Sequence, residues 1–342
     1  MRIALIAPPW LPVPPPLYGG TEMVVDRLAR GFQAAGHEVM LFTSGDSTCP
    51  VPRQWVLERA DHLRMGHVVP ELRHVVAAYR AARGFDIIHD HTLTGPVHAR
   101  AATDQVVVTT NHGPFNDELL EIYRVLAPRI AVIAISRSQA SHAAGLPIAR
   151  IIHHGVEPES FPVGPGDGGY FLFLGRMAPD KGARRAALVA RQAGVPLLIA
   201  AKMREPLEVE YFEQQVRPLL GDDIEFVGEV GGEEKLGLLG RARGLLNPIR
   251  WVEPFGLVMI EALACGTPVL AYPQGAAPEI VDHGVTGFLC RDREDMVEAV
   301  HRVGDLDRAA CRGAVEQRFS MERMVADHLE LFESLLADRA AN

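Results

Sequence analysis

Short apolar runs rich in β-branched residues alternate along this chain with stretches of helical period. In its first half the runs at 2–7, 38–43, 86–89, 105–110, 130–135 and 150–153 read as strands, and 21–35, 72–83, 117–126 and 136–144 read as helices between them. Residues 155–169, GVEPESFPVGPGDGG, have no apolar period and many Gly and Pro, and read as a linker. The alternation then restarts, with strands at 170–174, 196–200, 224–227, 244–247, 268–271 and 287–290, and closes on an amphipathic helix at 321–337. Such alternation predicts an α/β chain with two doubly wound, Rossmann-like domains of parallel sheet, at 1–154 and 170–320. Ligands of these sheets bind outside the carboxyl ends of the strands, so the expected site is the cleft between the two domains.

Composition narrows the classes. A chain of 342 residues, 48% hydrophobic and 23% charged, has room for about two domains. A net charge of −9 lacks the basic footprint of a nucleic-acid binder. Only Lys181, Lys202 and Lys235 among the 34 basic residues are lysine, so a lysine retained here is more apt to have a task. Cys49, Cys265, Cys290 and Cys311 are scattered without CxxC spacing, which argues against a zinc knuckle or a disulfide frame and fits a reducing cytosol. The opening apolar run is broken by prolines and is too short for a signal sequence, and no run reaches the length of a membrane span. A cytoplasmic protein is expected.

Candidate chemistry begins with WVEPFGLVMIEALACGTPV, residues 251–269. Pro254 suits the first turn of a helix running through Cys265, which places Glu253 just outside its start and Glu261 about two turns in. Backbone N–H groups of Phe255, Gly256, Leu257 and Val258 would then be free for an oxygen-rich ligand, and two carboxylates beside them would accept from hydroxyl donors such as diols. The plain alternative is a helix-start acid and a solvated acid, but Glu261 lies on an otherwise apolar helix. In FLFLGRMAPDKG, Arg176 and Lys181 follow a buried strand, where two cations can clamp a diphosphate. Near the start, Tyr18-Gly19-Gly20-Thr21 lets backbone approach a phosphate at a helix start, although a Gly pair is often only a turn. His89, His91 and His112 fall near strand ends; a metal site there lacks a matching carboxylate partner.

Three segments carry a resemblance. EPFGLVMIEALACGTPV, together with YGGTEMVVDRLARGFQAAGHEV and APEIVDHGVTGFL, resembles the family-4 retaining glycosyltransferases, which have the GT-B fold, over nearly the whole chain. The resemblance implies that Glu253 meets the donor sugar, Glu261 holds the nucleotide ribose, and Arg176 and Lys181 clamp the diphosphate. It implies that His112 faces the sugar near its reacting carbon, and that the base lies near 226–230, Val230 included, against backbone groups. It further implies that the terminal helix, within 321–342, packs back on the first domain. Two positions depart from the family pattern: Ala276, where a second Gly is more usual, and His154, where Asn is frequent. Asp305-Leu306-Asp307 has the letters of a D-x-D metal motif but starts a polar helix far from any strand end, so neither a metal nor another cofactor is expected. Residues 53–83 hold six arginines with Glu58, Asp61 and Glu71; some family members dock on anionic lipid here, and the pattern fits a solvated helix face equally well.

The expected activity is therefore retaining transfer of a sugar from a nucleotide-diphosphate donor, UDP or another, to a hydroxyl of a small-molecule or glycan acceptor. The compact, Arg- and Ala-rich chain also resembles actinomycete tailoring transferases of antibiotic pathways, the orthosomycins among them. A sugar-nucleotide 2-epimerase of the same fold and a catalytically silent nucleotide-sugar binder are the alternatives. Donor epimer formed without acceptor would favour the first, and the absence of donor hydrolysis the second.

Overall fold

A computed structural model describes residues 1–341 of the chain, which divides into two compact units. Unit 1 comprises Met1–Gly155 and the segment from Met321 onward; unit 2 is Val156–Ser320.

Unit 1 is built on β1 (Arg2–Ile6), β2 (Glu38–Phe42), β3 (Arg53–Gln54), β4 (Ile87–Asp90), β5 (Val106–Thr110), β6 (Ala131–Ala134) and β7 (Ile148–Ile151). All pairings are parallel, in the order β3-β2-β1-β4-β5-β6-β7. Ile3 to Ala7 are fully buried, as expected of a central strand covered on both faces. The strand order reverses between β1 and β4, and the loops leaving their carboxyl ends begin with Ala7 and His91. The helix Gly20–Ala34 buries Val24, Val25, Leu28 and Phe32. The terminal helix Met321–Ala341 lies against it: the Phe32 ring sits 5.5 Å from Phe332 and 6.1 Å from His328. Gly31 permits this approach, because a Cβ there would lie 2.3 Å from Val325.

Unit 2 holds β8 (Phe171–Arg176), β9 (Leu197–Lys202), β10 (Ile224–Gly228), β11 (Leu245–Asn247), β12 (Val269–Ala271) and β13 (Gly287–Leu289), again all parallel, in the order β10-β9-β8-β11-β12-β13. Here the reversal falls between β8 and β11. The turns after these two strands carry the basic motif and the first glutamate.

Several boundaries differ from the sequence reading. Residues 155–169 do not behave as a free linker. Gly164, Gly166 and Gly168 donate backbone N–H bonds to Cys265, Gly240 and Arg241, and Arg308 Nε donates to Gly164 O at 2.8 Å. A Cβ at Gly164 would sit 2.2 Å from Gly240 O, so the glycine serves close backbone approach. The helix expected from Pro254 starts instead at Leu257, behind Gly256 at φ 98°, and ends at Ala264. A left-handed residue cannot continue a helix inward, which leaves Pro254 in the preceding loop. Region 53–83 opens with strand β3 and a short 3-10 turn, His62–Arg64, and its helix runs Val68–Ala81. The helix Gly95–Ala102 had no apolar stripe to announce it.

Candidate active site

Unit 2 gathers the basic motif around three acids. Strand β8 delivers Arg176 at its end. The turn that follows closes on Gly182, at φ 96°, where a Cβ would lie 2.6 Å from Pro248 O, and the helix Ala183–Ala193 begins next. Lys181, just before that glycine, forms an ion pair with Glu253 Oε2 and lies 4.7 Å over the Trp251 ring. Trp251 Nε1 donates to the same carboxylate oxygen at 2.7 Å. The backbone of Glu253 is fixed as well. Its carbonyl accepts from Ala276 N at 3.0 Å, and a Cβ at Gly275, φ 58°, would lie 2.2 Å from that carbonyl oxygen. Ala276 itself has φ −81° and ψ 0° and is fully buried, so this turn does not need a second glycine.

Arg176 stands apart from this group. Its Nη2 is 3.6 Å from Asp180 Oδ2 and its Nε 3.8 Å from Glu208 Oε1, and the buried Nε makes no hydrogen bond among the described residues. Glu208 is already engaged: it accepts from Lys202 Nζ at 3.1 Å and from the N–H groups of Arg204 and Glu205 at 2.8 and 3.1 Å. Arg176 therefore keeps hydrogen-bonding capacity that its acidic neighbours do not take up.

Glu261, on the second turn of Leu257–Ala264, is only 7% exposed and accepts from Lys235 Nζ at 3.1 Å. The solvated-face alternative for this residue is excluded. Gly256, Leu257 and Val258 lie at the start of the same helix, whereas the Phe255 ring is buried 6.1 Å from Phe319. Val230 is buried just after β10, so only its backbone is offered to a ligand; beside it Glu229 takes a bidentate bond from Arg204 at 2.9 and 2.6 Å. All three lysines thus pair with an acid at this end of the sheet: Lys181 with Glu253, Lys202 with Glu208, Lys235 with Glu261. Motif spacing did not point to Lys202, Lys235 or Trp251; the scarcity of lysine was the one available signal for the first two.

Unit 1 brings five histidines together. His91 Nδ1 lies 2.8 Å from His112 Nε2, and His89 Nε2 lies 2.8 Å from Thr110 Oγ1. The His112 ring stacks on His154 at 5.2 Å and 23°, and His89 lies 4.1 Å from His91 and 5.2 Å from His328. His154 thus acquires a place, as the stacking partner of His112. Burial, the dominant cause, lowers all five: His112 to about 3, His328 to about 4, and His89, His91 and His154 well below the usual imidazole range. Asp90, between His89 and His91 in sequence, is pushed up to about 6 by burial, against hydrogen bonds from Thr92 and Tyr79. Among the described residues no group of three His, Cys, Asp or Glu side chains is arranged to hold a metal ion.

Three other features singled out in the sequence have these places. Gly19 precedes the helix Gly20–Ala34 in extended conformation, and a Cβ there would lie 2.7 Å from Pro15 Cβ, so local packing already accounts for it. Asp307 accepts from Ala309 N at 2.8 Å and caps the helix Arg308–Arg318. In region 53–83, Glu71 turns inward to accept from Leu93 N at 2.7 Å, while Leu63, Met65, Val68 and Val69 are each more than half exposed. That surface is apolar as well as basic. No helix among the described residues is long and apolar enough to cross a membrane.

Both units are built on parallel sheets, and in unit 2 acids and cations gather after the central strands. The chain belongs to the GT-B glycosyltransferases: residues 18–160 match the model described as Glycosyltransferase Family 4, and residues 168–305 the model described as Glycosyl transferases group 1. The phosphatidyl-myo-inositol mannosyltransferase of Mycolicibacterium smegmatis is 29% identical over an alignment covering 84% of this chain and 80% of the relative. AviGT4, a glycosyltransferase involved in avilamycin A biosynthesis, is 28% identical with a TM-score of 0.76, covering 98% of both chains. Anabaena Alr3699/HepE, solved in complex with UDP-glucose, shares the fold at a TM-score of 0.78 and 20% identity, over 98% of this chain and all of that one.

Proposed function

We propose that the protein transfers a sugar, with retention of anomeric configuration, from a nucleoside-diphosphate donor, UDP or another, to an acceptor hydroxyl, without a metal ion. The observation that carries this reading is the Lys181–Glu253–Trp251 group at the turns after β8 and β11, with Arg176 beside it on β8. Bond cleavage at the anomeric carbon moves negative charge onto the departing diphosphate. Two fixed cations there stabilise the transition state more than the ground state, which is what accelerates the chemical step. Arg176 meets the diphosphate through its uncommitted donors. Lys181 leaves Glu253 for the diphosphate, and Glu253, still held by Trp251, then accepts from a hydroxyl of the donor sugar. Glu261 accepts from the ribose diol, with Lys235 keeping its second partner in place. His112 is assigned to the sugar. Because Arg176 and Lys181 supply the positive charge at the diphosphate, a divalent ion has no necessary place in this scheme.

No side chain on either unit is singled out as a covalent nucleophile. Retention is then best served by attack on the face from which the diphosphate departs, with a diphosphate oxygen taking the acceptor proton. The similarity to a phosphatidyl-myo-inositol mannosyltransferase and to a glycosyltransferase involved in avilamycin A biosynthesis supports sugar transfer without fixing the acceptor.

The test is a panel of nucleotide sugars incubated with the protein in EDTA, with and without alcohol acceptors. Release of nucleoside diphosphate is followed, and the anomeric coupling of the product is read by NMR. Retained product in EDTA is expected. Inverted product, or activity only with added Mg²⁺ or Mn²⁺, overturns the retention or the metal claim respectively. Donor epimerised without acceptor would replace the transferase reading with the 2-epimerase one.

A further inference from the structure

His91 Nδ1 and His112 Nε2 lie 2.8 Å apart, so one of these nitrogens carries a proton that the other accepts. Burial keeps both rings neutral, so each carries one N–H and one lone pair. The second ring nitrogen of His91, Nε2, is buried and has no hydrogen-bond partner among the described residues. Suppose His112 donated through Nε2–H. His91 Nδ1 would then be the acceptor, and the His91 proton would have to sit on Nε2, a buried N–H with nothing to receive it. In the opposite arrangement His91 donates Nδ1–H and leaves only a bare lone pair at Nε2. A buried orphan donor is the rarer and costlier defect. The second arrangement is therefore favoured, and it leaves the proton of His112 on Nδ1.

The ring of His112 is also held in place. His154 stacks on it at 5.2 Å, and His91 is in turn packed 4.1 Å from fully buried His89. His89 follows the same logic: its Nδ1 is the orphan, so its Nε2 carries the proton and donates to Thr110 Oγ1. His112 is the half-buried member of the row; the other four rings are buried.

We infer that His91 is a positioning residue that fixes His112 as its Nδ1–H tautomer, so that His112 acts on the donor sugar as a hydrogen-bond donor to an oxygen and not as a general base. This rests on the reading that His112 meets the sugar. A proton held on Nδ1, with Nε2 occupied by His91, leaves His112 no free lone pair with which to take the acceptor proton. Such an assignment agrees with the leaving diphosphate serving as the proton acceptor.

The test is long-range ¹H–¹⁵N NMR on the whole protein labelled with ¹⁵N-histidine at neutral pH, the two rings being assigned from His112→Phe and His91→Phe spectra. Both rings are expected to be protonated at Nδ1; an Nε2-protonated His112 overturns the inference, whatever the enzyme's reaction turns out to be. Kinetics then tests the role. His91→Phe keeps a ring but no donor, and should lower kcat about tenfold or more while KM for the donor changes far less. His91→Asn places an amide N–H near the position of Nδ1 and should recover most of that loss. An unchanged kcat in folded His91→Phe, or equal impairment in His91→Asn, removes the positioning role. If His91→Phe does not fold, the wild-type spectrum, assigned from His112→Phe and His91→Asn, still decides the tautomer. A protein with the expected tautomers and no transferase activity with any nucleotide sugar refutes the function and leaves the tautomer assignment standing.

Discussion

The Trp251 indole donates to Glu253 Oε2 at 2.7 Å while the face of the same ring lies 4.7 Å from the Lys181 ammonium. One side chain thus steadies both halves of an ion pair, the carboxylate by a hydrogen bond and the ammonium by the ring quadrupole. When Lys181 turns to a diphosphate, the indole N–H remains to hold Glu253 in place. Trp251→Phe keeps a ring for the cation and removes the N–H. It should reduce kcat by about tenfold, the scale of one lost charge-assisted hydrogen bond, with little change in affinity for free nucleoside diphosphate. Steady-state kinetics alongside calorimetric titration separates the two effects. A variant weakened equally in both would assign Trp251 to general packing.

Arg176→Ala and Lys181→Ala should each lower turnover by about two to three orders of magnitude, corresponding to ~3–4 kcal/mol of lost transition-state stabilisation. Neither side chain is part of a hydrophobic core cluster, so thermal unfolding should stay close to wild type. Near-normal turnover in either folded variant would remove that cation from the leaving-group site.

The two glutamates should separate in experiment. Glu261→Ala takes away the acceptor that the ribose is expected to use, and strands Lys235, 3.1 Å from the lost oxygen. It should weaken nucleoside diphosphate binding by about tenfold. Glu253→Ala frees Lys181 from its resting partner and should leave that affinity near wild type or raise it, while turnover falls. Calorimetry with the free diphosphate on both variants decides the matter, and equal losses would show the roles to be wrongly divided.

The fold was open to reading because its parallel strands are buried on both faces and stand out as β-rich apolar runs: 2–7 against Arg2–Ile6, and 224–227 against Ile224–Gly228. Strand β3 was not legible. Two residues at a sheet edge carry no period, and Arg53 and Gln54 have no β-rich composition. Residues 155–169 misled because Gly and Pro signal flexibility and tight backbone contact with the same letters; only Gly240, distant in sequence, shows which applies to Gly164. At the site, Glu253 and Lys181 could be named from local motifs, but their pairing spans 72 positions and Trp251 joins them only in three dimensions. The histidine row was legible only in part: His89, His91 and His112 fall near strand ends in the sequence, but His154, from the segment after β7, and His328, from the terminal helix, join them only in three dimensions.

That row makes unit 1 acid-sensitive, with a sign that can be worked out. His74 is buried too and lowered to about 4, and His37 and His98 are lowered as well, so eight histidines of unit 1 have folded values below the usual 6.5. A group lowered on folding contributes stability that is fully present above 6.5 and is lost as pH falls from there toward the folded value, because the unfolded chain takes up the proton first. Each such group contributes a slope of up to ~1.4 kcal/mol per pH unit. Buried carboxyls oppose this. Glu22 is raised to about 7 and Asp90 to about 6, and Glu71 is raised as well, so between roughly pH 7 and 4 the folded state binds protons there that the unfolded chain does not. Eight histidines against three carboxyls leave a net loss of stability on acidification. Urea unfolding followed in unit 1, by a probe such as Trp10 or Trp55 fluorescence with Trp251 replaced by Phe, should show a midpoint that falls steadily from pH 7 to pH 5. His328→Phe removes one titrating ring between Phe32 and Phe332, and should make that fall shallower. A midpoint that stays flat over this range would mean that the histidines are already protonated in the fold, and with it the neutral-ring argument for His91 and His112 would be lost.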